Sequence, residues 1–493
     1  MKFKKIFLLF QLLSAVLLVT SFIIYFLKAK IFLDPDFGWA LRMGEVILKS
    51  GIPKSDPFSY TMPSYPYVDY EWLTHIGIAK IYSLANFTGL TLIFTFIALV
   101  SIVVCVWDLN KRFTPLGIIF ATAMFFSYFG VRSQVITWLF FAILVKIILS
   151  DKWWRKFKYF LPVLFLLWAN LHAGFVAGLI VLSVAIFRKR NFGDFVLLFL
   201  SILITLLNPY GIGLWREVWV STTDLPIRFF IIEWRPLLFS ITSITLISIA
   251  YFLAFIVQYW KRYKGYEILI FILIFIAAFS SARNVPLLLI YSIILTRKGI
   301  ENFMLDVGDN RQKLFRFHLV YAFFFIVILV LVFFQMKGDY LAAATRSEKR
   351  YYPEKALIYL SSHMPKGQVY SNYEWGGYLD WKFPQKKVFI DGRMASWRQK
   401  LSVLESDYIF GENNSLLRLK IPLNRVFKKY QIDTVLLPQS WLAGDKNDTT
   451  SQIISRFVKE LKKNEFIEVY NDNVAIVYSR KRPSTTEDNL VGE

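Results

Sequence analysis

Hydrophobic residues come in eleven successive runs, and that pattern restricts the chain to one broad class of fold. The runs lie at 6–27, 90–107, 115–130, 133–150, 159–171, 173–187, 194–208, 241–259, 268–280, 284–296 and 318–335. The first, IFLLFQLLSAVLLVTSFIIYFL, follows Lys2, Lys4 and Lys5. It is longer than the ~7–15 residues of a signal-peptide core, and no small-x-small cleavage site follows it, so it reads as a retained span. Several other runs fall short of the ~20 residues that a perpendicular helix needs. Residues 159–187 and 266–296 each read equally well as one long bent helix. The 56% hydrophobic content exceeds the ~45–50% of a soluble domain. The expected fold is an α-helical polytopic membrane domain of about 11 transmembrane helices over residues 1–336, with outer-face loops at 28–75 and 208–240.

The net charge is +22, and placement decides what it means. With a cytoplasmic N-terminus, the inner connections are 2–5, 108–114, 150–158, 188–193, 260–267 and 296–317. These short pieces hold 20 Lys and Arg, the positive-inside pattern. The basic balance is therefore topological, and no nucleic-acid partner is expected. The expected location is the plasma (inner) membrane. An odd number of spans places residues 337–493 outside the cytoplasm. The single cysteine, Cys105, lies within an apolar run, which rules out an intrachain disulfide framework and a Cys-rich zinc site.

After Lys337 the composition turns polar. Tyr351-Tyr352-Pro353 opens a helix, and Ile453, Ile454, Phe457 and Leu461 align on another over 451–463. Val369–Ser371, Val388–Ile390 and Thr434–Leu437 read as short buried strands. Phe466–Tyr470 and Val474–Tyr478 flank Asn471-Asp472-Asn473 as a hairpin. Alternating helix and strand predict a small extracytoplasmic α/β domain over 337–493, with a disordered tail after Arg482.

Unusual residues collect on the predicted outer face. The stretch from Phe32 to His75 carries Asp34, Asp36, Asp56, Asp69 and Glu71 among many aromatic residues. Within it, Trp39, Met43, Val46 and Ile47 recur at helical spacing from Phe37 to Ser50. That predicts an amphipathic helix lying in the membrane interface, ended by Gly51 and Pro53. Asp36 precedes it in the position of an N-cap. The same face receives Arg132, Asn170, His172, Arg283 and Asn284, and a second loop supplies Asp224, Arg228, Glu233 and Arg235. Taken singly, Arg132 and Arg283 read as side chains snorkelling to the interface, and His172 as a satisfied core histidine. Ionisable groups at membrane depth are costly, however, and their collection on one side reads as a site.

The chain has no P-loop, GxGxxG or HExxH motif, and His75, His172, His318 and His363 show no metal-ligand spacing. Carboxylates facing cations suit group transfer from a lipid phosphate. A carboxylate removes the acceptor hydroxyl proton, and arginine holds the leaving phosphate through charge-assisted bonds. A non-enzymatic transporter or flippase of envelope glycolipids would want charges through the whole bilayer. Few occur, Lys146 being one. A membrane scaffold would make the aspartates silent.

Several segments together resemble the polytopic glycosyltransferases of the GT-C fold. They are Asp34-Pro-Asp36 after the first span, Glu71-Trp72-Leu73, Arg132-Ser-Gln134, Trp168-Ala-Asn170-Leu-His172-Ala-Gly174, Asn208-Pro-Tyr-Gly211, Glu233-Trp234 and Arg283-Asn-Val-Pro286. Tyr370-Ser-Asn-Tyr-Glu-Trp-Gly-Gly-Tyr378 and Asp391-Gly-Arg393 look like a bacterial branch of it. The similarity to protein mannosyltransferases and oligosaccharyltransferases is distant. Two aspartates separated by proline replace the adjacent Asp-Glu of the former, and Trp375-Gly-Gly-Tyr378 is not the Trp-Trp-Asp-Tyr-Gly of the latter. The resemblance implies hexosyl or pentosyl transfer with inversion, from a polyprenyl-phosphate-linked sugar to a glycan, lipid or protein acceptor, beside membrane lipid. It places the catalytic acidic residue at Asp34 or Asp36, with Asp36 favoured as base because it abuts the interface helix. Arg283 and Arg132 are then expected at the donor phosphate, and Glu71, His172, Glu233 and Asn170 at the substrate. No cofactor is obligatory. In some relatives a divalent metal lies between such carboxylates, and Asp34, Asp36, Glu71 and Glu233 offer the oxygen donors that Mg²⁺ or Mn²⁺ prefers.

Overall fold

A computed structural model describes every residue except 1, 190, 225, 227–229, 240, 309–310, 401, 443–448 and 482–493. Arg228 and the tail after Arg482 thus lie outside the described residues. The chain divides into two compact units. The first, the membrane unit, comprises Met1–Asp34 and Val68–Thr345, and the second comprises Pro35–Tyr67 and Arg346–Glu493. This differs from a single boundary after residue 336. The helix Arg311–Thr345 continues without a break across that point, and residues 35–67 join the C-terminal part of the chain.

The membrane unit is helical. Its elements include α1 (Lys2–Ile31), then, after α2 (Phe37–Ser50) of the second unit, α3 (Trp72–Val106), α4 (Thr114–Tyr128), α5 (Gln134–Leu149), α6 (Asp151–Phe157), α7 (Leu161–Leu171), α8 (Phe175–Lys189), α9 (Phe192–Leu203) and α10 (Ile212–Thr223). Helices Ser243–Gln258, Gly265–Ser280, Val285–Val307 and Arg311–Thr345 follow. Among the described residues, Leu8–Ile31, Trp72–Val106 and Gln312–Thr345 are long and apolar enough to cross a membrane. Gln134–Leu149 and Asp151–Leu171 form a pair bent by 111° that makes a fourth, and five further apolar helices are 10–17 residues long. The eleven runs therefore do not become eleven uniform spans. The 90–107 run is the second half of α3, which kinks at Asn86 with φ +52°. The two stretches read as possible long bent helices are both interrupted, at 172–174 and at 281–284. Proline in the first turn starts α4, α7 and Val285–Val307, where its missing N–H has no helical partner to lose. The interior is aromatic: Trp138 and Trp168 are fully buried, and Phe125 stacks on Trp138 at 4.6 Å. The chain is an integral membrane protein.

The second unit is built on four strands: β1 (Gln368–Ser371), β2 (Ile432–Pro438), β3 (Phe466–Asn471) and β4 (Ala475–Arg480). Their order is β1-β2-β4-β3, with β1 parallel to β2 and the other pairs antiparallel. The helix expected over 451–463 is present as Thr449–Lys463. Residues 388–390 do not join the sheet. Val388 instead makes an isolated parallel bridge with Ser59, so the strand-like pattern there serves the 35–67 segment.

Helix α2 has the bounds the periodicity predicts, but its surroundings differ from a membrane interface. It buries Phe37, Trp39, Ala40, Leu41, Met43 and Ile47 and packs against the helix Gly376–Lys382. Backbones meet there without side chains between them. A Cβ on Gly38 would fall on the Gly377 carbonyl, and one on Gly377 would lie 2.5 Å from the Pro35 carbonyl oxygen. The glycine pair after Trp375 is thus a seat for the start of α2.

Candidate functional site

The site residues of the membrane unit sit at helix ends. Asp34 follows α1, Glu71 precedes α3, Arg132 lies between α4 and α5, and His172 lies between α7 and α8. Glu233 occupies the turn Ile232–Trp234, and Arg283 the turn Ala282–Asn284. Helix ends leave backbone groups unpaired and side chains unconstrained by the apolar stripe, so polar residues gather there.

Arg132 joins two carboxylates. Its Nε lies 2.9 Å from Asp34 Oδ2, and its Nη1 lies 2.5 Å from Glu233 Oε1. Asp34 is only 4% exposed. Beside Glu233, the Arg283 guanidinium stacks 4.9 Å over the Trp234 ring. Gln134 Nε2 donates to the Arg283 carbonyl at 3.5 Å, and the Ala282 N–H donates to the Arg235 carbonyl at 3.0 Å, fastening one turn to the other. Among the described residues, no carboxylate pairs with Arg283.

A second group surrounds Glu71. Oε2 of Glu71 is 3.5 Å from His75 Nε2, and Oε1 is 3.5 Å from His172 Nε2. His75 Nδ1 meets Asp69 Oδ2 at 2.7 Å. Burial alone would raise the Glu71 carboxyl, but hydrogen bonds from His75 and Ser133 hold it down at about 2. His172 is the reverse case: burial lowers it to about 4 despite Glu71. Its Nδ1 faces the Gly174 N–H at 2.9 Å and the Thr137 hydroxyl at 2.7 Å. That hydroxyl already accepts from Trp168 Nε1 at 2.8 Å, so it donates to Nδ1. The proton of the neutral ring then belongs on Nε2, which is buried, has no hydrogen-bond partner and points towards Glu71. Gly174 permits this packing, since a Cβ there would come 2.3 Å from Thr137 Oγ1. Ser133, adjacent to Arg132, links the two groups through Glu71.

Two further expected residues have partners of their own. Asp36 belongs to the second unit. It stands at the N-cap position of α2, yet its side chain makes no cap bond. Its Oδ1 accepts from Trp39 Nε1 at 3.0 Å and lies where a Cβ on Gly392 would be, 2.0 Å away. Asn170 lies close by but is occupied as a brace. It accepts from Trp72 Nε1 at 2.9 Å and donates to the carbonyls of Leu166 and Leu207.

Four further residues belong to the cluster. Asp69 and His75 carry a weak signal, because Glu71 and His75 are spaced to share a helix face. Lys28 and Asp339 carry none. Lys28 looks like the basic flank of a span, yet its buried Nζ donates to the Phe126 and Ser127 carbonyls, with Asp34, Arg132, Glu233 and Asp339 within electrostatic reach. Asp339 accepts from the Ser127 hydroxyl at 2.7 Å.

The carboxylates do not make a metal site as arranged. Asp34 and Glu233 meet across a guanidinium, which a divalent cation would have to displace. Among the described residues, no group of three or more acidic, histidine or cysteine side chains is arranged so that it could hold a metal ion.

A groove of about 860 Å³ begins one turn beyond His172. Val176, Leu179, Ile180, Val184 and Phe187 of α8 line it, with Trp215 and Leu269. Ile180 and Phe187 are more than half exposed, so the groove is open along its side. Its mostly apolar lining suits a hydrocarbon chain.

No protein-family model matches the chain, and no curated protein matches it in sequence. Solved structures do match. The archaeal oligosaccharyltransferase AglB from Archaeoglobus fulgidus, in complex with an inhibitory peptide and a dolichol-phosphate, gives a TM-score of 0.58 at 12% identity, over 95% of this chain and 74% of AglB. ArnT from Cupriavidus metallidurans in the apo state gives 0.50 at 13% identity, over 94% of this chain and 97% of ArnT. The arabinofuranosyltransferase AftD from Mycobacteria gives 0.51 at 12% identity, over 96% of this chain but 40% of AftD. The chain has the GT-C fold.

Proposed function

We propose that this protein transfers a sugar from a polyprenyl-phosphate donor to a hydroxyl-bearing acceptor at the extracytoplasmic face of the membrane. The observation that carries the reading is Arg283. It is a guanidinium without a carboxylate partner among the described residues, stacked on Trp234 beside Asp34, Arg132 and Glu233. A cation held in that way is ready for a phosphate. The dolichol-phosphate bound to the structural neighbour AglB and the apolar groove that begins at Val176 support a donor with a long hydrocarbon chain.

In this reading Asp34, rather than Asp36, is the base, because it shares the membrane unit with Arg132, Arg283, Glu71 and His172. The acceptor oxygen attacks the anomeric carbon, the bond from that carbon to the phosphate oxygen breaks, and configuration inverts. Asp34 takes the hydroxyl proton. The leaving polyprenyl phosphate gains one negative charge, which Arg283 and Arg132 stabilise. Glu71 and His172 offer an acceptor and a donor 3.5 Å apart, a pair that one hydroxyl can satisfy.

Proteoliposomes incubated with radiolabelled polyprenyl-phosphate sugars, with and without EDTA, test the reading. Transfer by the wild type, abolished in D34N and retained in D36N, is the expected result. Wild-type activity in D34N would remove Asp34 as base, and EDTA sensitivity would require a metal in place of the Arg132 pairing.

A further inference from the structure

We propose that Asp69 and His75 are positioning residues that aim the Glu71 carboxylate at a non-reacting hydroxyl of the acceptor. The inference rests on the transfer reading above and extends it to residues that touch no substrate. Asp69 is 2% exposed and His75 is 1% exposed, and each is already engaged by its neighbours. They form a closed brace. Asp69 Oδ1 accepts the Glu71 backbone N–H at 3.0 Å, while its Oδ2 holds His75 Nδ1 at 2.7 Å. The other ring nitrogen of His75 faces Glu71 Oε2 at 3.5 Å. One carboxylate thereby fixes both the backbone and, through the ring, the side chain of the next.

What the brace leaves open identifies its purpose. Glu71 Oε1 faces His172 Nε2 at 3.5 Å, and that buried Nε2 has no hydrogen-bond partner among the described residues. An ion pair that only held helices together would have no use for an unsatisfied donor beside an ionised acceptor. A non-reacting hydroxyl of the acceptor placed against both would accept from His172 and donate to Glu71, leaving the attacking hydroxyl to Asp34. The ligand group this implies is one that both accepts and donates a hydrogen bond, as a sugar or lipid hydroxyl does.

The groups facing Glu71 are His75 from α3, Ser133 from the turn before α5 and His172 from the end of α7. Asp69 lies behind His75, and Arg132 and Arg283 lie beyond His172. Of these, His75 does most to keep Glu71 ionised in a nearly buried position. Removing the ring leaves burial uncompensated and moves the carboxyl upward.

The test is the pH–rate profile of the full-length protein in proteoliposomes with saturating donor. In H75Q, the acid limb of kcat/KM for the acceptor is expected to lie at higher pH than in the wild type, falling about tenfold for each pH unit below it and recovering at higher pH. The KM for the donor should stay unchanged. D69N should move in the same direction by less, and should H75Q not accumulate in membranes, D69N carries the same measurement with the ring in place. A parallel loss at every pH, or a shared rise in donor KM, would overturn the positioning role. Lack of transfer by the wild type itself would instead count against the transfer reading.

Discussion

Two arginines in this molecule each sit between two carboxylates, and they are built to opposite ends. Arg393, in the second unit, reaches Asp56 Oδ1 at 2.8 Å and Asp391 Oδ2 at 2.5 Å, with side-chain exposures of 2%, 0% and 0%. Phe58, Tyr67 and Trp397 stand around its guanidinium at 4.7–5.3 Å. Burial opposes its charge, yet the two carboxylates hold it firmly protonated. Arg132 has the same partners by type, but is 20% exposed, and Glu233 is 36% exposed. A sealed triad has no exchangeable partner and acts as a keystone: it ties the first-loop residue Asp56 to Asp391-Gly-Arg393. A half-open triad can trade one carboxylate for a phosphate, since water or ligand reaches one side.

The sharpest way to break the comparison is to remove one carboxylate or cation from each. In D34N the Arg132–Glu233 pair remains, so the membrane unit should fold and reach the membrane. Transfer should fall by about 10²–10⁴-fold, the usual share of a general base, as measured with labelled donor. R393M leaves two buried carboxylates without a cation. That should destabilise the second unit by about 3–5 kcal/mol, seen as faster hydrogen exchange in β1 and β2, with activity lost alongside the fold. If R393M lost activity while exchange stayed unchanged, the sealed triad would have a chemical role and the contrast would fail.

Arg283 separates the two kinds of arginine more finely. It stacks on Trp234 without a carboxylate. R283A should raise the donor KM roughly 10- to 100-fold, the value of a charge-assisted contact of about 1.5–3 kcal/mol, and should leave the melting temperature within a degree or two. R283K should recover only part of this, because an ammonium keeps the charge without the planar stack. Equal donor KM in wild type and R283A would place the phosphate elsewhere.

The sequence carries the two regions unevenly. Apolar runs announce the membrane helices, and the polar residues between them mark the helix ends that carry Asp34, Arg132, His172 and Arg283. The 3.6-residue period gives α2 its limits. It cannot name the partner of that helix, because a one-sided apolar pattern fits a lipid surface and a protein surface alike. The partner depends on Gly38 and Gly377, far apart in the chain, whose lack of side chains is visible as a contact only in three dimensions. Asp34 and Asp36 look interchangeable in sequence and fall in different units because the chain passes from one unit to the other at Pro35. Lys28 shows the same limit. Its charge reads as a flank, while its role at the end of α4 depends on the carbonyls of Phe126 and Ser127.

The smallest expected effect concerns a third carboxylate beside the sealed triad. Asp380 lies in the helix Gly376–Lys382, 4% exposed, and its Oδ2 has no hydrogen-bond partner. Burial, and then the neighbouring Asp391, hold its acid group well above the ordinary range, with Arg393 and Arg42 opposing. A raised carboxyl means that the folded unit keeps a proton the unfolded chain releases. The stability it contributes is complete below the unfolded pKa of ~3.9 and is lost as pH rises through the folded value. D380N keeps the shape and removes the titration. It should match the wild type in acid and become the more stable of the two as pH rises. Hydrogen exchange in β1 and β2, followed from pH 4 to 8 in both proteins, measures the difference directly. A difference that stayed constant with pH would mean that Asp380 is ionised within the fold, paired with Arg42 or Arg393. The second unit would then contain a four-membered charge network open to exchange, and the distinction between its sealed triad and the half-open one at Arg132 would narrow.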